Sequence, residues 1–155
     1  MNEHPSFTVK PIGTVRTDRT DVQDTDHWGG VRSVIEVDAR FGDDCMQGLE
    51  DFSHVEVLFV FDQFTEPTEW TPLRSRGRDD MPAVGVFSSR GPRRPNRIGV
   101  TACPIVAVRG RELTVTGLDA VDGTPVLDLK PVMEELRPTD VRQPEWVGRL
   151  MSEYF

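Results

Sequence analysis

Runs that alternate apolar and polar residues, broken by glycine, proline and acidic turn residues, recur along this chain and set what it can become. Ser53–Phe64 (SHVEVLFVFDQF) is the sharpest. Val55, Val57, Phe59 and Phe61 fall on one side, Leu58 and Val60 on the other. A period of two puts successive side chains on opposite faces, so this segment reads as a central strand. Val31–Ala39 (VRSVIEVDA) alternates as cleanly, with Ile35 and Val37 opposed to Glu36 and Asp38. Phe7–Arg16, Val84–Ser88, Ile98–Val108, Glu112–Leu118 and Val126–Pro131 read as further strands. Pro11 and Gly13 bend or end the first of these, and Pro104 demands an edge position or a bulge. The Asp122-Gly123 pair marks a tight turn over Asp119–Pro125.

Helical signals are few. Met46, Leu49 and Phe52 are spaced for a short helix over Asp43–Phe52. Thr139 is placed to cap a helix over Asp140–Tyr154, with Val141, Trp146, Val147, Leu150 and Met151 as its apolar side. Thr17–Gly30 and Thr65–Met81 show no period and read as loops, and long loops in compact domains are commonly functional. The order is not βαβ. It predicts a mainly β fold: a small single-sheet β-barrel of six or seven strands with one or two peripheral helices. With 155 residues, one domain over 1–155 is expected.

The charge is unevenly spread. The net charge is −8, but it divides as −10 over residues 1–70, +5 over 71–100 and −3 over 101–155. The positive stretch centres on GVFSSRGPRRPNRIG (Gly85–Gly99), where Arg90, Arg93, Arg94 and Arg97 lie close together with no acid among them. Pro92 and Pro95 pre-set the backbone and Gly91 relaxes it, which describes a shaped loop. A local cationic island in an acidic chain points to an anionic ligand, not to a broad nucleic-acid coat. A surface loop of a chain that prefers arginine to lysine everywhere (16 Arg, 2 Lys) is the plainer alternative.

Several classes are excluded or unsupported. No GxGxxG follows a strand and no GxxxxGK[ST] occurs, so neither a dinucleotide fold nor a P-loop is indicated. Cys45, Cys103 and the scattered His4, His27 and His54 have no metal-ligand spacing, so no metal is expected. Neither a signal peptide nor an 18-residue apolar run is visible, so a cytoplasmic protein without membrane contact is expected.

Two polar clusters at strand ends could carry chemistry. One is Ser88-Ser89-Arg90 with Arg93, Arg94 and Asn96. The other is Asp119, Asp122, Gly123, Thr124, Asp128 and Lys130. Guanidinium forks suit carboxylate or phosphate, and ionised carboxylates suit the hydroxyls of a ribose. Together they could hold a nucleoside with a charged tail. Alternatively, Asp122-Gly123 is only a turn, and Asp128 and Lys130, on one face of their strand, only an ion pair. Trp28 and Trp70 could stack on a base, but burial as a lid or subunit contact is the commoner fate of a loop tryptophan. His54 reads equally as a hydrogen-bonded structural residue or a catalytic one.

FSHVEVLFVFDQF, GVFSSRGPRRPNRIGVTAC and GLDAVDGTPVLDLKP, following PIGTVRT, resemble the TsaA-like (TrmO/YaeB) family across about residues 10–131. Arg90, Pro92, Arg94, Pro95, Asn96, Ile98 and Gly99 match one family motif. Asp119, Asp122, Gly123, Thr124, Pro125, Asp128 and Lys130 match the other. The chain departs from the family pattern at Gly91, Arg93 and Arg97, at Phe61-Asp62, and in the Asp24–Gly30 segment. It is also expected to lack the extra C-terminal domain of many bacterial members.

The resemblance implies a β-barrel that binds S-adenosylmethionine at a homodimer interface and methylates the exocyclic amine of threonylcarbamoyladenosine beside the tRNA anticodon. The cofactor is then expected against Phe87, Ser88, Ser89, Arg90, Arg94, Pro95, Asn96, Ile98 and Gly99. On the second motif it is expected against Asp119, Asp122, Gly123, Thr124, Pro125, Leu127 and Lys130. Asp128 or Asp122 is the candidate proton acceptor. A related small or RNA substrate fits the same reading. A non-catalytic module that binds S-adenosylmethionine or RNA is the alternative.

Overall fold

A computed structural model describes residues 3–155. Its strands are β1 (Gly13–Thr17), β2 (Arg32–Val37), β3 (His54–Val60), β4 (Leu73–Arg74), β5 (Ala83–Val84), β6 (Ile98–Arg109), β7 (Glu112–Thr116) and β8 (Pro125–Pro131). Six of them close a barrel in the order β1-β2-β7-β6-β3-β8, with every neighbour antiparallel. β4 and β5 form a separate two-stranded ribbon. Closure leaves no free sheet edge to be covered or defended.

Alternation fills the barrel. Val15, Ile35, Val37, Val55, Val57, Phe59, Cys103, Leu113, Val115 and Val126 are buried in one cluster, joined by Met46, Leu118 and Ala120. Fully burying a side chain such as Val, Leu, Ile or Phe contributes about 1.5–3 kcal/mol, so this cluster carries the fold. Pro104 sits mid-strand in β6 without a free edge. Ile105 donates its N–H to Ser53 O on the β3 side at 2.9 Å. Because successive N–H groups alternate sides, Pro104 lacks its donor toward β7, where pairing begins only at Ile105 and a bulge follows before Ala107.

Five local expectations give way: Thr65–Met81, read as a loop, contributes β4 and a 3-10 turn at Ser75–Gly77, and four others follow. The first strand is shorter than its pattern: its partners end at Val37 and Val126 opposite Gly13, so Phe7 and Val9 stay exposed. Asp43–Phe52 forms turns and a 3-10 turn at Leu49–Asp51, not an α-helix. Gly48 sits there in the left-handed region (φ 93°), which helical residues cannot share. Val84–Ser88 is split between β5 and a 3-10 turn at Val86–Ser88. The C-terminal helix α1 covers only Glu145–Leu150. Pro144 is its N-cap, Asp140 has φ 53°, and Thr139 caps nothing. A proline biases the preceding residue away from helical geometry, so the apolar period of 140–144 is not realised and Val141 is exposed.

Candidate functional site

Strand register decides which connections meet. Val60 pairs with Ile98, Phe59 with Val126, Thr17 with Ser33, and Arg32 with Thr116. The start of β6, the end of β3, the start of β8, the end of β1, the start of β2 and the end of β7 therefore lie at one end of the barrel. The arginine loop and the aspartate turn, about 30 residues apart in sequence, share that rim with residues 18–31 and 61–64.

The arginine loop is held by its own side chains. Arg90 donates Nη2 to Val100 O (2.7 Å), Arg94 donates Nη1 to Ser89 O (2.8 Å), and Arg97 donates Nη1 to Phe64 O (2.6 Å). Arg93 lies over the Phe64 ring at 5.8 Å. Pro95 opens a short 3-10 turn in which Asn96 and Arg97 have positive φ, and Asn96 N–H bonds Glu66 Oε1 at 2.7 Å. Among the described residues none of the four arginines pairs with a carboxylate. Their charge is shaped by backbone carbonyls but not neutralised, which leaves it for an anion. Phe87 stands out at 81% exposure beside Ser88.

The aspartate turn is anchored at its base and open at its tip. Leu118, Ala120, Val121 and Thr124 are buried, and Asp122 and Gly123 are exposed. Thr124 donates Oγ1 to Val121 O at 2.6 Å, and Gly123, at φ 84°, donates its N–H to Val15 O at 2.8 Å. Among the described residues Asp122 accepts only the Thr17 N–H, at 3.2 Å through Oδ1, so it keeps free lone pairs toward solvent. Asp119 is engaged on both oxygens: Thr101 Oγ1 donates to Oδ1 and the Tyr154 hydroxyl to Oδ2. The Tyr154 phenol is raised well above its ordinary value of 10.0, by burial first and the Asp119 charge second. The Cys103 thiol, inside the barrel, is pushed up to about 12 by burial and then by Asp119, so it is inert as a nucleophile.

The other sequence-predicted residues separate into rim, strand and outer wall. Gly99 faces inward under Phe59, Ile98 faces outward, Pro125 pairs with Thr14, and Leu127 falls at the β3–β8 register shift. Asp128 and Lys130 lie on the outer wall opposite Leu58 and Glu56, and ion-pair at 3.3 Å. His54 is at the far end, bonded through Nδ1 to Ser53 Oγ at 2.6 Å. Trp28 is buried beneath the Arg19 guanidinium (3.9 Å), and Trp70 is exposed. Residue patterns did not mark Thr101 or Tyr154. Thr101 carried a signal, since a hydroxyl facing an apolar barrel needs a partner. Tyr154 carried none.

Two open hollows, each about 380 Å³, lie at the opposite end beside Asp43 and Gly110. Neither is bordered by a residue of the two motifs. No three His, Cys, Asp or Glu side chains among the described residues gather to hold a metal. No helix among them is long and apolar enough to cross a membrane.

Known proteins share this six-stranded antiparallel barrel. Residues 18–137 match the family model described as the tRNA-methyltransferase O N-terminal domain. The chain belongs to this family. It is 35% identical over 131 residues to a probable S-adenosyl-L-methionine-binding protein of Methanothermobacter thermautotrophicus, covering 83% of this chain and 91% of that protein. It is 41% identical over 103 residues to the human tRNA (adenine(37)-N6)-methyltransferase, covering 64% of this chain and 22% of that one. The chain thus spans about a fifth of the mammalian relatives it matches. The crystal structure of TrmO from Pseudomonas aeruginosa superposes with a TM-score of 0.72 at 30% identity, covering 89% of this chain and 61% of that one. As in this TrmO N-terminal family, the barrel is mainly β with one short helix.

Proposed function

We propose that the protein is an S-adenosylmethionine-dependent methyltransferase that acts in the cytoplasm on the exocyclic amine of a modified adenosine in tRNA. The threonylcarbamoyladenosine next to the anticodon is the acceptor this reading favours. One observation carries it: an arginine loop without carboxylate partners among the described residues and an exposed Asp122-Gly123 tip share one barrel rim. Relatives named as S-adenosylmethionine-binding proteins and as tRNA methyltransferases support it.

The residues fit the cofactor. Arg90 and Arg94 keep unspent donors suited to its amino-acid carboxylate, and Asp122 keeps lone pairs suited to ribose hydroxyls. Bound S-adenosylmethionine supplies a methyl group on a cationic sulfur and departs as a neutral thioether. The chain has only to align the acceptor nitrogen with that methyl, exclude water and take one proton. Asp122 is the candidate to accept the proton that the amine loses on methylation, through a lone pair that the ribose leaves free. Asp128, on the outer wall, enters the chemistry only where a second subunit packs there.

We assign that role to a homodimer. Ile98, Val100 and Val106 leave an exposed apolar stripe along the outer face of β6, beginning at the motif rim. Covering it with a second copy would wall the rim. The test is to incubate purified protein with methyl-labelled S-adenosylmethionine and tRNA lacking the modification. Label in the tRNA is the expected result. Binding without transfer to tRNA or to cell-extract acceptors would leave a binding module and refute the enzyme.

A further inference from the structure

The polar cluster at the barrel mouth joins five segments distant in sequence. Asp119 receives hydroxyl hydrogens from Thr101 of β6 and from Tyr154, beyond α1. Arg76 lies 5.8 Å from the Tyr154 ring and bonds Asp26 of the β1–β2 connection at 2.9 Å. The segment that brings Tyr154 here is fastened along its length. His27 N–H donates to Glu153 O and Trp28 N–H to Tyr154 O, both at 2.8 Å, while Arg149 donates to Asp80 O at 3.0 Å. A Cβ on Gly29 would lie 2.8 Å from the Phe155 backbone, so the two segments already touch there.

Two readings of this contact oppose each other. Residues 145–155 are either a lid that occupies Asp119 and must lift for a ligand, or a built wall that fixes the aspartate turn. The attachments favour the wall. The turn itself favours it too, since Asp119 is surrounded by buried Leu118, Ala120 and Val121 while the exposed tip is Asp122-Gly123. A ligand on the rim meets the tip, and Asp119 serves as the peg beneath it. The raised phenol keeps the donated proton at every physiological pH. We infer that Tyr154 is a positioning residue that pins the Asp119–Gly123 turn for the nucleoside, making residues 145–155 part of the site. This rests on the cofactor reading above.

Tyr154→Phe removes the donor and keeps the ring. A hydrogen bond to a charged group is worth enough to hold the turn in one state, and losing it taxes affinity by the fraction of turn still competent. The expected result is a rise of about tenfold in the dissociation constant for S-adenosylmethionine by calorimetry, at a temperature where both proteins are folded. The KM for the same compound rises with kcat preserved at saturation. Amide exchange across Ala120–Thr124 quickens in the unliganded protein. Gly29→Ala, which displaces the segment without touching either side chain of the latch, moves all three readouts the same way. Unchanged or tighter binding in the two variants overturns the inference, the latter being the mark of a lid. If the unaltered protein binds no S-adenosylmethionine, the functional proposal fails instead. Exchange then still judges the latch, and unaltered exchange across Ala120–Thr124 in Tyr154→Phe refutes it.

Discussion

Gly99 matches the family motif, yet its place in the structure calls for a packing role, and Gly99→Ala tests it. Gly99 lies opposite Phe59 in the β3–β6 ladder. A Cβ there would stand 2.6 Å from both Cε2 and Cζ of Phe59, and 2.9 Å from Cζ of Phe61. Phe59 is 1% exposed, and its ring meets that of the partly buried Phe61 edge-on at 5.1 Å, so the Phe59 ring has no open space to enter. Overpacking of this kind costs about 1–3 kcal/mol, and two contacts this short place it near the top of that range. Replacing glycine in a strand returns about 0.5–1 kcal/mol of backbone entropy. The net expectation is a loss of about 2 kcal/mol, or about 4–8 °C in melting temperature for a chain of this size. Urea and thermal unfolding measure it, ideally as a double-mutant cycle with Phe59→Leu. Leucine lacks the two colliding ring atoms, so Gly99→Ala should cost little in that background, giving a coupling energy of about 2 kcal/mol. An alanine variant as stable as the parent, or one equally destabilised in both backgrounds, would refute the packing account and return Gly99 to direct ligand contact.

Three further outcomes are expected. Arg94→Ala frees the Ser89 carbonyl and removes a cation from the rim, so S-adenosylmethionine binding by calorimetry should weaken about tenfold or more, the loss of one charged hydrogen bond. Trp28→Ala empties a buried site beneath Arg19 and should cost about 3 kcal/mol in urea unfolding, with faster amide exchange over residues 145–155. Cys103 stays protonated in the folded barrel up to about 12, against 9.0 for an ordinary thiol. Its contribution to stability is complete below pH 9 and is lost as pH climbs from 9 toward 12, because only the unfolded chain releases the proton. Between pH 8 and pH 10 that is about 1.4 kcal/mol, and Cys103→Ala should flatten the measured pH dependence by about that amount.

The strands with inward apolar residues were legible because alternation is a local property: Val55, Val57 and Phe59 face inward as their spacing requires. Asp122-Gly123 was legible as a turn for the same reason. Helical spacing alone misleads, since that of Met46, Leu49 and Phe52 says nothing of a left-handed Gly48, and that of Val141 and Trp146 says nothing of Pro144. The meeting of the two motifs on one rim follows from register, which no single segment encodes. Tyr154 beside Asp119 was illegible altogether: 35 residues and a change of direction separate them, and neither alters the other's local pattern.

Because the barrel closes on itself, its hydrogen-bond ladder is indifferent to the length of what hangs from the rim. Residues 18–31 and 61–97 leave and re-enter the sheet beside paired neighbours, Thr17 with Ser33 and Val60 with Ile98. Segments there can be exchanged between relatives, or lengthened, while the ring of strands keeps its order. Such a scaffold lets its rim segments vary without reordering the strands, and makes the parts of those two stretches outside the arginine loop the natural places to graft new ones.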